Sequence, residues 1–204
     1  MSESSDFELL DRWDAGDLHA GNELFERYFD EIYRFLAHKT NGDAEDLVQR
    51  TFLACLEGKG SFRKGASFRT YLYAIGRNLL HAYWREKKRA AFDVGASSLL
   101  ELGPSPSTAV AERHEERLLL EALRSIPLDL QIALELFYWE KLSAPELAQI
   151  LEIPEGTVRS RLRRARDALE QRLSELESSP ERLASTLSNL ERWAVSLRDR
   201  IADH

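Results

Sequence analysis

Apolar residues along this chain recur at intervals of three and four, with no convincing alternation at two, so nearly all of it reads as helix. AGNELFERYFDEIYRFLAH (20 to 38) repeats Leu24, Tyr28, Ile32 and Phe35, and TNGD closes that helix with turn formers. A second helix, AEDLVQRTFLACLEG, follows at once. GKGSFRKGAS (58 to 67) reads as a loop, after which FRTYLYAIGRNLLHAYWREKKR forms a long helix with Phe68, Leu72, Ile75, Leu79 and Ala82 on its core stripe. DVGASSLLELGPSPSTA (93 to 109) holds two prolines, two glycines and five hydroxyl residues, which breaks the pattern.

Beyond that break, EERLLLEALRSI ends before Pro127, and LDLQIALELFYWE forms the next helix. Ser143 and Glu146 in SAPE have the spacing of a capping box, LAQIL follows, and the chain turns at Glu152 to Pro154 before a helix from Glu155 to Leu176. Two short helices separated by a tight turn have helix-turn-helix spacing, in which the second helix enters the DNA major groove. The pattern predicts an all-α protein of two small helical domains on a flexible linker. The expected boundaries are an acidic segment (1 to 19), a first domain (20 to 90), a linker (91 to 116), a second domain (117 to 173) and a C-terminal helical extension (174 to 204). In that extension Leu183, Leu187, Leu190, Trp193, Leu197 and Ile201 share a stripe, expected to pack on the second domain or to receive a partner helix.

Charge changes this picture more than composition does. The net charge of minus 7 argues against contact with phosphate. Residues 1 to 31, however, hold ten carboxylates against Arg12 and Arg27, a local net of minus 8, so the rest is slightly basic. Positive charge gathers twice, in RNLLHAYWREKKR (77 to 89) and in EGTVRSRLRRARDAL (155 to 169). The acidic start is a candidate cover for those basic surfaces.

In the second cluster Val158, Leu162, Ala165 and Leu169 mark the buried stripe, and the arginines spread over the outer arc. Thr157, Arg159, Ser160 and Arg163 lie near the helix N-terminus, the end that reaches base edges. Arginine pairs bidentately with guanine, at about 1 to 3 kcal/mol of discrimination, while Arg161, Arg164 and Arg166 suit phosphates. The alternative is an ordinary solvated face. Such faces mix signs, whereas Gly156 to Arg166 contains no carboxylate.

In the first cluster Tyr73, Arg77, His81, Trp84 and Lys88 are expected to project opposite the core stripe, cations among rings, as single-stranded nucleic acid requires. The alternative is that Tyr71, Tyr73, Tyr83 and Trp84 pack between helices. Cys55 is the single cysteine and the five histidines are scattered, so no metal site, nucleophilic pair or phosphate-cradling glycine loop is visible. No catalytic residue, cofactor or small-molecule substrate is expected. The start MSESSDFELL lacks a signal-peptide pattern and no apolar run reaches membrane-spanning length, which points to a cytoplasmic protein without membrane insertion.

Taken together, the motifs resemble the bacterial RNA polymerase sigma factors, in their compact two-domain extracytoplasmic-function group. AEDLVQRTFL (44 to 53) is similar to that family's polymerase-binding helix, which usually reads AEDLVQETFL. FRTYLYAIGRNLLHAYWR is similar to its promoter-melting helix, and LRSIP through SAPELAQILEIPEGTVRSRLRRARDAL to its second domain. The resemblance covers about residues 20 to 90 and 117 to 173.

It implies a first domain like the family's region 2, which reads and opens the minus-ten element, and a second like its region 4, which reads the minus-thirty-five element. Glu45, Asp46 and Gln49 would dock on core RNA polymerase, and loop 58 to 67 would take a flipped base. Asn78 and Arg85 match the family's melting positions, whereas Tyr71 and Ala82 stand where it usually has tryptophan and aspartate. Promoter DNA, core polymerase and an anti-sigma factor are the implied partners. A DNA-binding regulator using only the helix-turn-helix is the competing reading; it predicts paired half-sites and no complex with polymerase. An enzyme is the third.

Overall fold

The computed structural model describes residues 5–40, 42–58, 66–93 and 114–176. Within them the chain forms eight α-helices and no strand: α1 (Asp6–Asp14), α2 (Leu18–Ala37), α3 (Ala44–Glu57), α4 (Phe68–Asp93), α5 (His114–Ser125), α6 (Leu128–Tyr138), α7 (Ala144–Leu151) and α8 (Glu155–Leu176). The all-α, two-part architecture expected from the sequence is the one observed. Most of the expected linker, nearly all of the C-terminal extension with its Leu183 to Ile201 stripe, and most of loop 58 to 67 lie outside the described residues.

The amino-terminal segment differs from expectation. Its acidic composition concealed a helix, α1, begun by a capping box in which the Ser5 N–H donates to the Glu8 carboxylate at 2.8 Å and the Glu8 N–H to the Ser5 hydroxyl at 3.3 Å. Leu9, Leu10 and Trp13 are buried against α2. Gly16, at φ +101°, makes the turn that only glycine makes cheaply. Asp17 then caps α2 through the N–H groups of His19 and Ala20, so α2 starts at Leu18, and the expected boundary between residues 19 and 20 falls inside it. Close packing of the two helices depends on Gly21, where a Cβ would stand 2.6 Å from the Trp13 indole nitrogen. Asp6 is held by Arg27 at 2.6 Å and by the Tyr28 hydroxyl. The acidic segment is thus spent chiefly on α2.

Helices α2, α3 and α4 complete the first domain around Leu24, Ile32, Phe35, Leu47, Val48, Phe68 and Leu72. In the second domain α5 and α6 pack on α8 through Leu119, Leu123, Leu134, Ala165, Leu169 and Leu173. The Ser143 N–H donates to Glu146 at 2.8 Å at the start of α7, as the capping spacing implied. Glu152, at φ 53° and ψ 44°, takes the left-handed conformation that turns α7 into α8.

The two domains share one apolar cluster. Leu142, Leu147, Ile150, Leu151 and Val158 of the second domain join the cluster that contains Leu72, Leu80 and Trp84 of the first, with α7 laid along α4.

Candidate nucleic-acid interface

Helix α8 buries Val158, Ala165, Leu169 and Leu173, while Leu162 is half-buried. This phase sends Thr157, Arg159, Ser160, Arg163, Arg164 and Arg166 into solvent and leaves Arg161 partly covered. None of the five arginines forms an ion pair among the described residues; Arg172 pairs with Glu175 at 2.6 Å further along this helix, beyond the block. Five unneutralised guanidinium groups within about two turns make a strong local positive potential despite the overall negative charge. The Ser160 hydroxyl donates to the Thr157 carbonyl at 2.8 Å, so it faces a base edge as an acceptor unless it rotates. Gly156 has open space around it, which leaves the helix N-terminus accessible.

Helix α4 corrects half of its expected face. Tyr73 has no exposed surface, sits edge-on to Phe35 at 5.2 Å and lies under Arg69. Trp84 is 8 % exposed and donates its indole N–H to the Lys39 carbonyl at 2.9 Å. Neither ring is presented to a base here, and the packing alternative holds for both. The physical reason is that α2 covers this side of α4, Phe35 against Tyr73 and Gly76 and the Lys39 carbonyl against Trp84, so a second buried stripe of Tyr73, Gly76, Leu80 and Trp84 runs beside the expected one.

Of the remaining α4 groups, Arg85 and Lys88 are exposed. Arg77, Asn78 and His81 are placed together and meet the second domain: Arg77 lies 3.9 Å from Asp129 and 3.7 Å from Glu152, Asn78 donates to Glu152 at 3.4 Å, and the His81 Nε2 lies 3.0 Å from Asp129. Burial holds His81 below the usual histidine range, with Asp129 opposing.

On α3, Glu45, Asp46 and Gln49 share an exposed face, and Asp46 pairs with Arg50 at 2.9 Å. Sequence reasoning missed the apolar continuation of this area, where Leu53 is 56 % exposed, Leu56 44 %, and Phe29 45 %. Phe29 stacks on Phe52 at 6.2 Å. It also missed the charged residues between the domains. Lys39 and Glu135 form an ion pair with 0 % and 2 % side-chain exposure, and Arg69 joins Glu31 at 2.6 Å to Glu140 at 2.9 Å. No local pattern marks these residues, since each looks like a solvated charged residue in the sequence.

Among the described residues no cluster of histidine, cysteine or carboxylate side chains is placed to hold a metal ion, and no helix is long and apolar enough to cross a membrane. Cys55 is buried, which pushes its thiol up to about 12.

The descriptions "Sigma-70 region 2" and "Sigma-70, region 4" match residues 24–90 and 116–169. The ECF RNA polymerase sigma-E factor of Salmonella typhimurium (strain LT2) is 31% identical over 188 residues, covering 86% of this chain and 98% of the relative. The Haemophilus influenzae protein of the same description is 30% identical over 185 residues, covering 84% and 97%. Two solved structures share the fold. One is the sigma factor RpoE in complex with the anti-sigma factor NepR from Bartonella quintana, with TM-score 0.63 and 24% identity over 75% of this chain and 96% of that one. The other is CnrH in complex with the cytosolic domain of CnrY, with TM-score 0.60 and 21% identity over 84% and 99%.

Proposed function

The chain belongs to the ECF RNA polymerase sigma factors, which direct transcription initiation, and from that membership we propose how its own residues divide the work. The observation that carries the reading is the exposed arginine face of α8, without an ion pair among the described residues, on the second helix of a helix-turn-helix. Arg159 and Arg163, with Thr157 and Ser160 beside them, read base edges of the minus-thirty-five element. Arg161, Arg164 and Arg166 neutralise phosphates and fix the register.

Arg77, Asn78, His81, Arg85 and Lys88 of α4 hold the minus-ten strand as it leaves the duplex. Unstacking a base costs a few kcal/mol, which cations following the backbone and a preformed base pocket offset without ATP. Glu45, Asp46 and Gln49 dock on core polymerase. The exposed Leu53, Leu56 and Phe29 extend that face with apolar area that water disfavours. The work is binding rather than bond-making, and it places the protein with polymerase in the cytoplasm. An anti-sigma factor, such as those named with the solved neighbours, is the proposed regulator.

The test is assembly followed by footprinting. The chain should co-elute with core polymerase and, in that complex, protect two separate promoter regions. Paired, symmetric half-sites bound without polymerase would instead fit a simple regulator.

A further inference from the structure

Helix α8 opens on an acid, and no other side chain from there to Arg166 carries negative charge. Glu155 is the first residue of the helix and is exposed. Among the described residues it makes neither a hydrogen bond nor an ion pair. Arg159 stands four residues on, the order and spacing at which a glutamate and a cation on one helix attract each other. Even so, no ion pair joins them, and both groups face solvent.

The fold explains only part of this. A carboxylate in the first turn suits the positive end of a helix, so Glu155 does not disturb α8. That leaves open why the acid lies on the surface that has to approach DNA, where every phosphate repels it.

Its position gives it something to read. The Thr157 N–H donates to the Pro154 carbonyl at 2.8 Å, so the turn ends abruptly and Glu155 leads the helix. That end of the second helix is the one that reaches base edges. Four residues advance about 6 Å along a helix and turn it by only about 40°, so Glu155 and Arg159 point to the same side. Bases along a strand are about 3.4 Å apart, which puts the base facing Glu155 within about two base pairs of the one facing Arg159. An ionised carboxylate only accepts hydrogen bonds. In the major groove cytosine offers its N4 amino group, whereas guanine and thymine turn acceptor oxygens outward.

We propose that Glu155 is a specificity-determining residue for the upstream promoter element: it accepts a hydrogen bond from a cytosine amino group within about two base pairs of the base read by Arg159. At that position it also repels the acceptor edges of guanine and thymine. The arginines then select by attraction while the acid excludes by repulsion, which separates right from wrong sequences more widely than either does alone. The inference rests on the base-reading role of α8 proposed above.

The test takes the full chain assembled with core polymerase and selects bound duplexes from a library randomised over the upstream element. The unaltered chain is compared with Glu155→Ala, Glu155→Gln and Arg159→Ala. The unaltered chain should favour cytosine about tenfold at one position. Glu155→Ala should flatten that position alone, lowering affinity for the cytosine sequence and raising it for the others. Glu155→Gln should turn the preference towards adenine, whose N6 and N7 suit an amide. Arg159→Ala should flatten a different position, within about two base pairs of the first.

A Glu155→Ala chain that gains affinity equally for every sequence would show charge repulsion without reading, and would overturn the proposal. A lowered melting temperature with unchanged base preference would show a role in starting the helix, and would overturn it too. If Arg159→Ala flattens its position while both Glu155 variants keep every preference, Glu155 is excluded and the arginine reading stands. If none of the three variants alters any preference, α8 does not read bases and both assignments fall.

Discussion

Lys39 and Glu135 show how much depends on whether a charge has company. Together they are tolerated in an interior that would reject either alone. Lys39→Met leaves Glu135 buried without its direct ion-pair partner, beside Gln131 and the Arg124 guanidinium, and the predicted cost in denaturant unfolding is about 3 to 5 kcal/mol. Adding Glu135→Leu should recover most of that loss, because two apolar side chains of similar volume need no hydration. A double variant no more stable than Lys39→Met would contradict the pairing account.

The arginines of α8 divide by position. Arg159→Ala or Arg163→Ala should lower affinity for particular bases, by about 1 to 3 kcal/mol at the position read. Arg164→Ala should weaken all sequences alike and reduce the slope of log affinity against log salt by about one. Uniform weakening by all three would remove the base-reading assignment.

At the scale of elements, α7 and α8 were legible because their signals are local: a serine and glutamate at capping spacing, an apolar stripe at helical period, and a same-sign block that no intrahelical pairing explains. Helix α1 had signals too, Ser5 with Glu8 and the apolar Leu9, Leu10 and Trp13, but net charge drew attention away from them. Helix α4 failed for a different reason. Tyr73 and Trp84 lie off the expected core stripe, and nothing within one helix reveals that α2, through Phe35 and the Lys39 carbonyl, will cover that side too.

Two predictions belong here. Gly21→Ala forces α1 away from α2, because its methyl collides with the Trp13 ring, and should destabilise by about 1 to 3 kcal/mol in thermal or denaturant unfolding. A neutral result would mean that α1 can shift without loss. Asp46→Ala on α3 removes only an exposed pair with Arg50, of little value to the fold. It should keep the melting temperature while weakening assembly with core polymerase in a pull-down; normal assembly would remove Asp46 from the docking face.

The whole molecule adds a dependence on pH that neither domain would show alone. His38 is buried at the interface, and burial, followed by Lys39, Arg124 and Arg34 around it, holds its ring far below the usual histidine range. His81, facing Asp129, Arg77 and Arg85, is lowered in the same direction. Both regain ordinary values on unfolding, so the unfolded state binds the extra protons. Stability is therefore fully present above about pH 6.5 and falls as the pH drops below it, by about 1.4 kcal/mol per pH unit for His38, with less from the half-open His81.

Glu140 opposes this trend, since burial raises its carboxyl and the folded state takes up its proton first. Unfolding measured between about pH 7 and about pH 5.5 should show the loss, with a flatter slope in His38→Gln. Identical slopes would place the pH dependence elsewhere.

All of this rests on cationic groups sorted onto two helices of an acidic chain for use on promoter DNA with polymerase. The most direct measurement combines the protein, core polymerase and a library of randomised promoters, then sequences the transcripts. Transcripts should begin a fixed distance downstream of a shared two-part element, and Arg159→Ala and Arg163→Ala should change the upstream part alone. Transcripts with no shared element, or an upstream part indifferent to both substitutions, would contradict the account.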